Sequence, residues 1–354
     1  MTDAPALAQA SRFATAAPAV DARRFGSGHV NATYLITDAG GRRYVLQRIN
    51  TFAFRHPAHV MENIVKVTSA MAAQIPDPRR RLTLVPTRDG AWWTTAGDDW
   101  WRLYDFIPDS TELAEPVAAE EYALVGRAFG EFLVQMAAVD AAELHVTIPH
   151  YHDEWLYMAK LKAVVAADPR GRVAEMAADI ERVLAFEEVS HAFERTTMPL
   201  RVTHNDAKLS NVLVDVTTRQ PLCVVDLDTV QPGYAANDFG DIIRSCATTA
   251  PESEPDATRV RFAPERFEAC VRGYLGACGT VLEPSEIANL AQGARLMTLE
   301  TSLRFLIDYL EGDLFYHIDY PVQNRDRARN QAALLTDLDR HYDAMCAVIA
   351  GIAS

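Results

Sequence analysis

His204, Asp206 and Asn211 stand at the spacing H-x-D-x-x-x-x-N within Val202–Asp215, and the residues flanking them are apolar and β-branched. A carboxylate and a carboxamide on one short loop can serve a single phosphoryl group. The Asp orients a hydroxyl and takes its proton late, and the Asn reaches back to give magnesium a neutral oxygen. A second acidic element, Asp226 and Asp228, closes the run Leu222–Asp226. An acid ending a buried strand is costly unless it meets a cation, and magnesium is such a cation. One strand–turn–strand unit separates Asp206 from Asp226. A fold that brings those strand ends together makes one metal–phosphate site. The alternative is a solvated turn with a fortuitous Asp and Asn, followed by a strand-end Asp capping the turn at Thr229–Gly233.

The pattern around this core restricts the fold. A strand ending near Ile36, the turn Asp38–Gly41 and a strand Arg43–Arg48 read as a hairpin. Pro57–Gln74 reads as a helix with Val60, Ile64, Val67 and Met71 on one face. Leu82–Val85, Ala91–Thr95 and Trp100–Phe106 read as strands joined by Gly- and Asp-rich turns. After the turn-rich segment Ile107–Thr111 the pattern becomes helical, at Glu120–Ala138, Glu154–Ala166, Val173–Phe193 and from about Pro264 onward. Strands return only at Leu200–His204, Val212–Val216 and Leu222–Asp226. There is no regular βαβα alternation, so a doubly wound fold is disfavoured. The expected class is α+β and bilobal, with a small antiparallel β-rich N-lobe and a larger, mostly helical C-lobe. The expected boundaries are an N-terminal arm 1–20, an N-lobe 21–106, a hinge 107–116 and a C-lobe 117–354.

Bulk composition excludes several classes. At 354 residues the chain is long enough for two lobes. A net charge of −14 argues against a general nucleic-acid or anionic-membrane binder. It leaves room for a neutral or cationic small molecule, and for ATP where magnesium and local cations offset the phosphates. Five scattered cysteines without a C-x-x-C pair suggest neither a disulfide framework nor a zinc site. The first residues read as no signal peptide, and no run of the sequence reads as a membrane span, so a cytoplasmic protein is expected; a monomer is the expected state.

Other residues fall around the acidic core. Lys208 could sit near the transferred phosphate, and His204 reads as a brace of the loop. Asp238 before an apolar helical run reads as an N-cap, with Asp241 completing a capping-box-like pair. Gly26, Gly28, His29 and Asn31 form a bend whose backbone N–H groups could approach phosphates; the alternative is an ordinary glycine-rich turn. On the strand where a kinase carries a lysine stands Gln47, with Arg48 beside it on the opposite face. Glu62 could pair with Arg48 or be a solvated helix charge. Glu300, Arg304 and Asp308 line one face of a helix at i, i+4. They form either a surface charge ladder or a polar wall for a polyhydroxylated acceptor.

These motifs resemble the aminoglycoside phosphotransferase and choline kinase superfamily over nearly the whole chain after residue 20. The match looks closer to the N-acetylhexosamine 1-kinase branch. It is carried by Gly26–Asn31, Tyr44–Asn50, Met61–Asn63, His204–Asp206, Asp226–Val230, Asp238–Asp241 and Arg304–Tyr309. The resemblance implies a protein-kinase-like fold and transfer of the ATP γ-phosphate to the anomeric hydroxyl of N-acetylglucosamine or N-acetylgalactosamine. It implies Asp206 as base, Asn211 and Asp226 as magnesium ligands, and Asp228, Arg304 and Tyr316 near the acceptor. Adenine would lie against Tyr104, Asp105 and Ile107. Two rival readings are an amino-alcohol or aminoglycoside kinase, and a nucleotide-binding regulatory module without turnover.

Overall fold

The computed structural model describes residues 2–26, 30–113, 118–191 and 197–354. It divides into two compact units. One comprises Met1–Glu112, Ala138–Ile148 and Leu213–Pro232; the other comprises Leu113–Ala137, Pro149–Val212 and Gly233–Ser354.

The first unit is built on an antiparallel sheet of β1 (Ala19–Arg24), β2 (Ala32–Asp38), β3 (Arg43–Ile49), β4 (Leu84–Val85), β5 (Thr94–Ala96) and β6 (Asp99–Asp105). The order is β1-β2-β3-β6-β4, with β5 also paired to β6. The β2–β3 turn is fixed by Asp38, which is buried and accepts the N–H groups of Gly40 and Arg42 at 2.9 Å each. Gly41 supplies the left-handed backbone this turn needs, with φ 83°. Strand alternation sends Ile36, Leu46, Trp101 and Leu103 to a common core cluster.

Residues 1–20, expected as a loose arm, complete that cluster. Asp3 caps α1 (Ala4–Ala10) by accepting the Ala6 N–H at 3.0 Å. Ala6, Ala10 and Phe13 are wholly buried among the sheet residues. An Ala-rich run is a good helix former whose small side chains allow close approach to a sheet.

Helix α2 (Pro57–Gln74) starts where expected, with Pro57 in its first turn. Its buried Asn63 donates Nδ2 to the carbonyls of His145 and Val230, both at 2.9 Å, and accepts the His145 N–H at 2.8 Å. Gln231 Oε1 accepts the N–H groups of Thr147 and Ile148 at 2.9 Å each. Two buried carboxamides thus draw 138–148 and 213–232 into the unit. Strand β7 (Ser110–Glu112) pairs antiparallel with β9 (Val212–Asp215), which also pairs β10 (Pro221–Val224).

The second unit is mostly helical. It holds β8 (Arg201–Thr203), α3 (Ala119–Met136), α4 (Glu154–Ala167), α5 (Ala177–Leu184), α6 (Glu187–His191), α7 (Ala235–Cys246), α8 (Pro264–Cys278), α9 (Pro284–Glu311), α10 (Gln323–Arg340) and α11 (Tyr342–Ala353). The pattern expected as one helix over 173–193 is broken into a short turn and two helices. Helix α9 runs 28 residues, from a capping box at Glu283 and Glu286 to Gly312 at φ 106°. It crosses α7 through two glycines. A Cβ on Gly240 would stand 2.2 Å from the Gly293 carbonyl oxygen, and one on Gly293 would stand 2.0 Å from that of Ala236.

All five cysteines are free thiols. Among the described residues, no helix is long and apolar enough to cross a membrane. The architecture is a kinase-like fold, with an antiparallel-sheet N-lobe and a helical C-lobe.

Candidate active site

In the second unit the loop after β8 carries His204, Asp206 and Asn211. His204 is wholly buried, with its ring against the edges of Phe129 and Phe132 at 5.4 and 5.8 Å. It braces the loop, as expected. Asn205 takes a left-handed backbone at φ 62°, which Asn tolerates better than most residues. Asp238 holds this bend from beneath. Its carboxylate accepts the N–H of His204 at 2.8 Å and of Asn205 at 2.7 Å. The expected N-cap role is corrected here. Helix α7 begins three residues earlier, at Ala235, so Asp238 lies inside its first turn and points its carboxylate at the catalytic loop. Asp241 does not close a capping box either; it pairs with Arg244 at 2.7 Å, both buried.

Asp206 is half-buried. Lys208 Nζ donates to its Oδ2 at 2.7 Å, and Asn211 Nδ2 donates to the same oxygen at 3.0 Å and to the Asp206 carbonyl at 2.8 Å. Among the described residues both side-chain donors fall on Oδ2. Burial opposes the charge, but Lys208, His204 and Asn211 outweigh it and hold the carboxyl at about 2, below the ordinary 3.8. Asn211 spends its NH2 group on Asp206. Its carbonyl oxygen is the atom with lone pairs for a hard cation.

The same unit contains an aromatic wall. The Arg304 guanidinium lies 5.3, 6.0 and 5.5 Å from the ring centroids of Tyr151, Tyr157 and Tyr316. Glu300, wholly buried, accepts from Arg304 Nη1 at 3.4 Å and faces His152 Nδ1 at 3.0 Å. Glu300, Arg304 and Asp308 are therefore an inward-facing set, not a surface ladder. Asp308 accepts the N–H groups of Leu314, Phe315 and Tyr316 at 2.8–2.9 Å, fixing the loop that carries Tyr316. The Asp206 charge also acts on Tyr151, whose phenol burial already pushes to a raised pKa. Helical spacing singled out Glu300, Arg304 and Asp308, and the family resemblance added Tyr316. Sequence reading missed Tyr151, His152 and Tyr157, which come from a loop and helix far upstream and match no motif; an aromatic-rich Tyr-His-x-x-Trp-x-Tyr run was the only signal.

In the first unit, Asp226 lies two residues beyond the end of β10, with a left-handed backbone at φ 64° and an exposed side chain. Asp228 is buried. It takes a two-pronged bond from Arg102, with Nη2–Oδ2 at 2.9 Å, and a further bond from Asn31 Nδ2. Asn31 also accepts the Asn50 N–H at 2.9 Å, which ties this group to the end of β3. Asp228 is thus anchored within the unit by Arg102 and Asn31. Gln47 and Arg48 do face opposite ways. Gln47 turns toward Arg102, while Arg48 pairs with exposed Asp99 at 3.4 Å. Glu62 is not the partner of Arg48; it faces His145 Nε2 at 2.6 Å. Tyr104 and Ile107 are buried, and Asp105 pairs with Arg42 at 2.8 Å. Gly26 has φ 77°, which requires a glycine or costs strain. Gly28 and His29 lie outside the described residues.

No group of three or more His, Cys, Asp or Glu side chains suited to a metal occurs among the described residues. Magnesium is commonly held by one or two carboxylates plus phosphate and water, and Asp226 in the first unit and Asn211 in the second each carry a hard oxygen donor.

The family model described as Phosphotransferase enzyme family matches residues 21–274. The chain belongs to this family. Membership of this kinase-like phosphotransferase family implies ATP as donor and a divalent cation. Solved structures of similar fold include a microcompartment-associated aminopropanol kinase, at 18% identity, TM-score 0.64 and coverage of 96% of this chain and 98% of that one. Spectinomycin phosphotransferase in complex with ADP and spectinomycin aligns at 11% identity, TM-score 0.61 and coverage of 92% and 94%. An ethanolamine kinase of Plasmodium vivax aligns at 13% identity, TM-score 0.53 and coverage of 88% and 82%. At these identities the phosphotransferase shares its fold with them, and the acceptor must be argued from its own residues.

Proposed function

We propose that this phosphotransferase moves the γ-phosphate of ATP to the anomeric hydroxyl of an N-acetylhexosamine. The observation that carries the reading is the Arg304 guanidinium set among Tyr151, Tyr157 and Tyr316, in the unit that holds Asp206. Tyrosine faces suit the C–H faces of a pyranose ring. A guanidinium donates to the carbonyl oxygen of an acetamido group or to ring hydroxyls, and it has no acceptor for an ammonium. Asp206 Oδ1 would orient the attacking hydroxyl and take its proton. Asn211 and Asp226 would supply oxygens to magnesium, and Gly26 would lie in the bend that meets the phosphates.

The rival amino-alcohol reading finds support in the aminopropanol and ethanolamine kinases of similar fold. Charge at the wall opposes it. Arg304 is cationic, and His152 behind it is biased toward its charged form: burial alone would lower its pKa, but Glu300 outweighs burial and raises it. A cationic acceptor would meet repulsion there.

Replacing Arg304 by Met keeps the stem against the tyrosines and removes the donors. A hydrogen bond to a charged group contributes about 1.5–3 kcal/mol, so acceptor KM should rise about 10- to 100-fold with ATP KM unchanged. An unchanged KM for N-acetylhexosamine would remove the wall from the account.

A further inference from the structure

Gln47 and Arg102 are register partners across β3 and β6, so their side chains leave the sheet on one face. Arg102 is 1% exposed. A guanidinium at that depth must be paired on nearly every donor. Its two terminal nitrogens grip Asp228. Its Nε and Nη2 both donate to Gln47 Oε1, at 3.0 and 2.8 Å. The plane lies 5.4 Å from the Tyr104 ring. Gln47 is a good complement because it accepts two bonds without carrying charge. A lysine at position 47 would put an ammonium where that acceptor stands, leaving two buried cations against one carboxylate. Asp228 is joined to Asp226 through Leu227, which is itself buried. Anchoring Asp228 therefore restrains the left-handed backbone of Asp226.

We infer that Arg102 takes the place of the missing third-strand lysine as a positioning residue, gripping Asp228 so that the Asp226 carboxylate is held ready for the magnesium that accompanies ATP. The cation has moved one strand over, from β3 to β6, and Gln47 is the residue that accommodates it. The inference rests on the reading of Asp226 as a magnesium ligand.

The test is Mn2+ binding in the presence of ADP, followed by the electron paramagnetic resonance signal of free Mn2+, on the intact chain. The variants are Arg102→Met, Gln47→Lys, the double variant Gln47→Lys with Arg102→Met, and Asp226→Asn, each checked for fold by circular dichroism. Residues that orient a metal ligand typically matter by about 10–100-fold in metal affinity. Arg102→Met and Gln47→Lys should each weaken Mn2+ binding to that extent and leave acceptor KM unchanged. The double variant should regain much of the loss, because one cation again faces Asp228. A merely structural role would give additive damage in the double variant. Wild-type Mn2+ affinity in folded Arg102→Met, or a double variant no better than Gln47→Lys, would overturn the inference. Should Arg102→Met not fold, the comparison of Gln47→Lys with the double variant decides alone. Wild-type affinity in Asp226→Asn would overturn the underlying reading of Asp226. Weak binding there with intact binding in the Arg102 and Gln47 variants would overturn the positioning role only.

Discussion

Asp206 is held as an anion by its neighbours, with its carboxyl at about 2. It is therefore ready to accept a proton at any physiological pH, and an acid limb of the rate profile near neutrality would have to come from another group. Asp206→Ala should lower turnover by about 10²–10⁴, the range for a general base, with nucleotide binding retained in a calorimetric titration. A different pH signature belongs to His152. Glu300, Glu154 and Asp241 raise its pKa against the opposing effect of burial. Its folded pKa lies above the unfolded one, so its stabilising contribution is complete below about 6.5 and is lost as pH rises through the folded value. Thermal melts from pH 6 upward should show that loss in the wild type, and His152→Gln should flatten it. Parallel curves would contradict the His152–Glu300 pair. At this scale the sequence was readable where chemistry imposes a spacing, as for Asp206 and Asn211. Arg102 was not legible, because one Arg in an aromatic strand looks like an outward-facing residue. Only its cross-strand register with Gln47 shows that it points inward.

Elements place these residues through close backbone approach. The α7–α9 crossing leaves no room for a Cβ at Gly240 or Gly293. Helix α7 carries Asp238, which fixes the catalytic loop, and α9 carries Glu300 and Arg304. Gly240→Ala should therefore destabilise the fold by roughly 1–3 kcal/mol, the usual cost of overpacking, seen as a lower denaturation midpoint with little change in slope. It should also lower turnover. An unchanged midpoint would mean that the helices can separate freely. Apolar residues at helical spacing made α2 and α3 legible, since an amphipathic face leaves a clear pattern. The start of α7 was missed because Asp238 is a favourable cap residue; here its carboxylate is drawn to loop N–H groups within the same unit.

At the scale of the whole molecule, the two units are not two consecutive stretches of chain. Residues 138–148 and 213–232 join the sheet-bearing unit, and the links that draw them in are single buried carboxamides, Asn63 and Gln231. Such residues carry no periodic signal. A linear reading therefore recovers the fold class, with its sheet before its helices, while the two later stretches that join the sheet-bearing unit carry no signal of it. The Ala-rich start misleads similarly: low side-chain bulk reads as a weak core signal, yet Ala6, Ala10 and Phe13 seal one face of the sheet. The aromatic wall was half legible for the same reason, since Tyr151 and Tyr157 are brought to Arg304 only by the folded chain. The central claim is that Asp206 and this wall act together on a sugar hydroxyl. The most direct measurement is phosphorus NMR of the product formed from ATP, magnesium and N-acetylglucosamine or N-acetylgalactosamine, run beside choline and kanamycin. The account predicts an anomeric phosphate on the N-acetylhexosamine and no turnover of the cationic acceptors. Turnover of choline or kanamycin with silence on both sugars would contradict it.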